Sequence, residues 1–141
     1  MAKFDVVKKT LISIPFIHFG CILFGAPFLY DFVVTLIFSI WLSIIGILPL
    51  MLATNAQSNV FMSVIFERKT VTVAQKYALW AFIGSVGGAW FGSIVVPLDW
   101  DRWWQRWPIP CAIGSAIGVV LTLTLCTLLK RVSSITYRKY V

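Results

Sequence analysis

Predominantly apolar runs occupy residues 11–30, 32–53, 78–96 and 109–129, separated by short polar intervals. A hydrocarbon core about 30 Å thick takes roughly 20 residues of α-helix, which is the length of each run. The runs do not alternate apolar with polar positions as a barrel strand does, and in lipid a helix is the other way to satisfy every backbone group. The pattern therefore predicts an all-α polytopic membrane protein, a single transmembrane domain over residues 1–141. Its four transmembrane helices would pair as two antiparallel hairpins. The first hairpin would turn at Tyr30 and Asp31, with Gly25, Ala26 and Pro27 loosening the end of its first helix.

The second interval, residues 54–77, is polar at both ends but contains NVFMSVIF (59–66), which is too short to span. Beside Arg68 and Lys69 it is expected to lie along the headgroups. The third interval is PLDWDRWWQRWPIPC (97–111), two aspartates, two arginines and four tryptophans set between apolar runs.

Composition agrees with the membrane reading: 60% of the 141 residues are hydrophobic and 12% charged, a balance that would leave large apolar patches on a soluble domain of this size. The formal charge of +7 would suit a nucleic-acid partner, but its distribution argues against one. Lys3, Lys8, Lys9, Arg68, Lys69, Lys76, Lys130, Arg131, Arg138 and Lys139 all fall on one side of the predicted spans, and only Arg102 and Arg106 on the other. The positive-inside rule then puts both termini and the second interval in the cytoplasm, and the tryptophan-rich interval in the lumen or outside. The first run is too long for a signal-peptide core and lacks an A-x-A site, so it reads as an uncleaved helix. Cys21, Cys111 and Cys126 lie in or at the ends of the runs and read as small packing residues. There is no CxxC or Cys/His ligand spacing, so neither a metal site nor a cofactor is expected.

Gly84, Gly88 and Gly92 recur every four residues in the third run, and Gly114 and Gly118 match them in the fourth. Small faces mark helix contacts in lipid, where close van der Waals approach drives association. Two uses stay open: the faces pack on each other, or one docks a partner's helix.

In the tryptophan-rich interval, Asp99 suits an N-cap and Asp101 the first turn. Trp100, Trp103, Trp104 and Trp107 follow at i, i+3, i+4 and i+7, and Pro108 and Pro110 end the segment. The spacing predicts a luminal interfacial helix of about two turns. Its arginines, Arg102 and Arg106, would repel one another unless Asp99, a lipid phosphate or an acidic partner surface relieves them. An aromatic belt and a recognition site are both compatible with this composition. His18, deep in the first run, reads as a neutral imidazole hydrogen-bonded to backbone or hydroxyl. One histidine and two luminal-loop aspartates do not make the ligand set of a two-metal phosphotransferase, so any such chemistry would belong to another subunit.

ILFGAPFLYD (22–31), GGAWFGS (87–93) and, above all, PLDWDRxWQxWPxxC across 97–111 resemble the PIG-F family, and the likeness covers nearly the whole chain. The resemblance implies a non-catalytic, stabilising subunit of the ethanolamine-phosphate transferases that build glycosylphosphatidylinositol (GPI) anchors in the endoplasmic reticulum membrane. The implied partner is a PIG-O-like or PIG-G-like catalytic subunit, which takes ethanolamine phosphate from phosphatidylethanolamine to luminal mannose. The matching residues are Pro97, Leu98, Asp99, Trp100, Asp101, Arg102, Trp104, Gln105, Trp107, Pro108 and Cys111, whereas Trp103 and Arg106 depart from the family pattern. Longer family members carry a further pair of N-terminal spans. The tail, RKYV, is close to a dilysine retrieval signal. Partner or lipid contacts are accordingly expected at the five glycines named above and at Asp99, Trp100, Asp101, Arg102, Trp104, Gln105, Trp107 and Pro108. The alternative is a small transporter or lipid-handling protein, which the scarcity of ionisable residues in the spans disfavours.

Overall fold

The computed structural model of the chain describes residues 2–27, 31–98 and 101–140, and side chains as far as Arg131. Every regular element among them is helical. The first helix, α1 (Ala2–Leu23), begins nine residues before the apolar run, because the lysines that precede the run are good helix formers. It stops at a glycine. Gly25 takes φ +97°, its N–H donates to Ile22 O (3.0 Å), and the N–H of Ala26 donates to Cys21 O (3.0 Å), which satisfies carbonyls the helix leaves open. The link to the next helix thus starts at Phe24 and is longer than the predicted turn at Tyr30 and Asp31. Of those two, Tyr30 lies outside the described residues.

Residues 32–53 form one continuous helix in three parts: α2 (Phe32–Leu42), a wide π segment (Ser43–Ile47) and α3 (Leu48–Ala53). The wide turn directly precedes Pro49, which has no N–H for the carbonyl of Ile45 and whose ring crowds it. The short α4 (Ser58–Phe66) does more than lie on a surface: its Val64 is fully buried beside Leu50, Ala78 and Leu79, although Met62 and Phe66 face outward. α5 (Val73–Ser93) opens on a capping box. Gln75 N–H donates to Thr72 Oγ1 (3.2 Å) while Gln75 Oε1 accepts from Thr72 N–H (3.3 Å). α6 (Ile109–Tyr140) runs beyond the predicted 129, with Pro110 in its first turn, where a missing N–H does no harm.

Among the described residues three helices are long and apolar enough to cross a membrane: Lys3–Leu23, Phe32–Ala53 and Ile109–Arg131. α5 has the length, 21 residues, and one charge, Lys76, but its glycines, serines and tryptophans lower its hydropathy. The residues that let it pack closely are the ones that dilute its apolar character.

The pairing follows from two sets of contacts. Lys9 Nζ donates to Ala56 O and to Ser58 Oγ (2.8 Å), and Val6 packs with Met51 and Ala56, so the start of α1 meets the end of α3. At the other end His18 sits edge-on to Phe32, with ring centroids 4.8 Å apart. α1 and the second helix are therefore antiparallel. α5 and α6 form the most extensive pair.

Candidate functional site

The site is built on the α5–α6 contact. A Cβ on Gly84 would collide with Gly118 O, one on Gly88 with Gly114 O, and one on Gly92 with Pro110 O. The two backbones touch over three turns in antiparallel register. Thr122 Oγ1 adds a bond to the carbonyl of Trp80 (2.9 Å) across the same seam. Of the two uses open to Gly84, Gly88, Gly92, Gly114 and Gly118, the observed one is mutual packing within the chain.

The tight seam fixes where the connecting loop emerges. Asp99 and Trp100, both expected site residues, lie outside the described residues. Beyond them the predicted two-turn helix is replaced by a single 3-10 turn, Trp103–Gln105. Asp101 has φ +48°, a left-handed conformation that α-helix excludes and that aspartate tolerates better than most residues. At the other end Pro108 disfavours α geometry at Trp107. The Trp107–Pro108 peptide is cis. Trp103, Trp104 and Trp107 make no common stripe: Trp103 is exposed, while Trp104 and Trp107 are half-buried.

Two side chains seat this loop. Gln105 is buried, and its Nε2 donates to Val95 O (2.8 Å), two residues past the end of α5; its Oε1 is buried with no partner among the described residues. Trp107 Nε1 donates to Thr35 Oγ1 (3.0 Å) on α2, and the indole packs edge-on against Phe38 at 5.5 Å. Cys111, almost fully buried, joins Phe38, Leu42 and Ala89 beneath it. Asp101, Arg102 and Arg106 are exposed, and Pro108 is half-buried between Trp107 and α6.

Thr35 belongs to a hydroxyl row that sequence reading passed over. Thr35, Ser39 and Ser43, four residues apart, are all fully buried on one face of the second helix. Ser39 Oγ donates to Thr35 O and Ser43 Oγ to Ser39 O, both at 2.8 Å. Trp41 Nε1 donates to Ser115 Oγ (3.0 Å), tying the same helix to α6. Hydroxyls at every fourth position of an otherwise apolar run were the available signal.

His18 meets this row as expected of a histidine satisfied by a hydroxyl, with Nδ1 3.4 Å from Ser39 Oγ. The other ring nitrogen, Nε2, is buried without a partner among the described residues. His18→Phe removes that orphan and keeps a flat ring. The expected result is an unchanged or higher midpoint in thermal unfolding; a loss of more than about 2 kcal/mol would show that Nε2 is satisfied in the membrane.

The GPI biosynthesis protein family Pig-F matches residues 2–127. The chain belongs to the PIG-F family. Among its relatives, GPI anchor biosynthesis protein 11 of Pyricularia oryzae is 34% identical over 112 residues, covering 79% of this chain and 41% of that protein. The mouse GPI ethanolamine phosphate transferase, stabilizing subunit, is 34% identical over 119 residues, covering 84% of this chain and 54% of that protein. A PIGF/3-ketodihydrosphingosine reductase fusion protein of Schizosaccharomyces pombe is 37% identical over 110 residues, 78% of this chain and 22% of that protein. The chain spans about half, or less, of the length of these curated PIG-F relatives. No solved structure matches it.

Proposed function

We propose that this PIG-F chain is a non-catalytic subunit of a GPI ethanolamine-phosphate transferase, holding a PIG-O-like or PIG-G-like catalytic subunit stable in the endoplasmic reticulum membrane. Family membership carries the reading, together with relatives named as the stabilizing subunit of that transferase. The chain spans the membrane four times as two antiparallel hairpins, with α5 as the third span, both termini in the cytoplasm and the loop between α5 and α6 in the lumen. The length of α5 and its close seam with α6 support its crossing beside a helix that is itself apolar enough to span. Ten cations at the opposite end support the orientation.

In this arrangement Asp101, Arg102, Trp104 and Pro108, with Asp99 and Trp100, form the luminal contact face, Gln105 and Trp107 hold it in place from within, and the glycine seam acts indirectly by fixing where that face stands. The test is rescue. In cells lacking their own stabilising subunit, expression of this chain should restore the level of the catalytic subunit and of GPI-anchored surface proteins. Restored catalytic subunit without restored anchors would limit the role to stabilisation, and restoration of neither would remove the proposal.

A further inference from the structure

At the loop end of the α5–α6 pair, Leu98, Asp101, Arg102, Trp103, Gln105 and Arg106 line an open cavity of about 500 Å³. The 3-10 turn creates it. Arg102 (ψ 140°) and Arg106 (ψ 134°) are both extended, one on each side of a single tight turn, so both guanidinium-bearing residues border one hollow. Gln105 between them is directed inward and pinned to Val95 O, which holds the turn against α5. Among the described residues the one ion pair joins Lys69 to Glu67, and neither loop arginine has a carboxylate partner.

Among the described lining residues, two guanidiniums and the Asp101 carboxylate leave one positive charge in excess, which a monoanion would neutralise. A phosphodiester is such an anion, and the planar guanidinium fork fits its oxygens bidentately. The setting selects the carrier of the phosphate. The rim is apolar and exposed, with Trp103 78% and Leu98 40% accessible, and it stands at the ends of two helices whose outer faces carry exposed Ile94, Phe91, Ile113 and Ile117. An indole and aliphatic side chains beside arginines are what the headgroup zone of a bilayer receives. We propose that this cavity holds the phosphodiester of one membrane phospholipid on Arg102 and Arg106, with its acyl chains lying along the outer faces of α5 and α6. The site requires no transferase and goes beyond the subunit role.

The test is lipid retention by the intact chain, purified in mild detergent and examined by native mass spectrometry. Wild type offered phosphatidylcholine should keep one molecule per chain, should not keep diacylglycerol, which lacks the phosphate, and should not release the lipid to an equal concentration of water-soluble glycerophosphocholine. The double variant R102Q/R106Q should show about tenfold lower occupancy or less, the effect of losing at least one charge-assisted hydrogen bond. R102K/R106K, which keeps the charge but not the fork, should fall between. Equal retention of diacylglycerol would make the association merely hydrophobic. Displacement by glycerophosphocholine would make the site one for soluble phosphodiesters. Either result overturns the proposal on the wild-type chain alone, and undiminished occupancy in a folded R102Q/R106Q does so independently.

Discussion

Gly88→Ala is expected to destabilise the protein markedly, whereas Gly87→Ala, one position away on the same helix, should be neutral or stabilising. The two glycines differ in what a methyl group would meet. At Gly87 nothing lies within 4 Å of the new Cβ, so alanine gains its helix propensity, roughly 0.5–1 kcal/mol. At Gly88 the Cβ would enter the Gly114 carbonyl and stand 3.0 Å from Gly118 Cα, and backbone cannot rotate away as a flexible side chain can. The helices must separate, which costs about 1–3 kcal/mol for a methyl and more for Gly88→Leu. Because the seam sets where the 94–108 loop emerges, recovery with a catalytic partner should fall along with stability. Thermal unfolding of the two alanine variants in one detergent checks the contrast. Equal midpoints would mean that α5 and α6 do not touch through this face.

Trp107 carries the second large effect. Trp107→Ala removes the edge contact with Phe38 and leaves Thr35 Oγ1, fully buried, without the indole donor, for an expected loss of about 3 kcal/mol. Trp107→Phe retains an aromatic ring and loses the hydrogen bond, so roughly 1–2 kcal/mol should go. Thr35→Val strands the indole N–H instead. The double variant Trp107→Phe with Thr35→Val should then cost less than the two single changes added together, by about 1 kcal/mol, since the partners disappear at once. Strict additivity would show that the loop is not anchored to α2 by this bond.

These two contacts differ in how far they could be read from the chain. The four-residue spacing of Gly84, Gly88 and Gly92 against Gly114 and Gly118 is a backbone-level signal, legible because the absence of side chains leaves few other uses for it in lipid. The helices themselves were legible from the length of the apolar runs. Family membership was legible from the motif across 97–111, which is long and rich in rare residues.

The conformation of that motif was not legible. Tryptophans at i, i+3, i+4 and i+7 imitate a helical stripe, yet Trp103 is exposed, Trp107 anchors on α2, and Gln105 between them is the residue directed inward. Tryptophan is drawn to an interface whatever the backbone does, so its spacing says little about periodicity there. The Trp107–Pro108 dipeptide was the better guide, because proline disfavours α geometry in the residue before it. The starts of α1 and α5 were missed for a related reason. Hydropathy marks where lipid begins, whereas caps and propensity mark where helix begins, and Thr72 with Gln75 places the start of α5 five residues before the apolar run. The row Thr35, Ser39 and Ser43 was overlooked because each hydroxyl is unremarkable alone; only their common face shows that the second helix is the polar hub of the bundle.

The central claim, a subunit that holds a transferase stable, is tested most directly by affinity purification of the tagged full chain from membranes in mild detergent, followed by mass spectrometry of what accompanies it. Near-stoichiometric recovery of a large multispanning ethanolamine-phosphate transferase is expected. Gly88→Ala and Trp107→Ala should lower that recovery, while R102Q/R106Q should leave the chain folded. A monodisperse, stable and solitary chain, recovered at normal abundance from cells that contain the transferase, would contradict the subunit role.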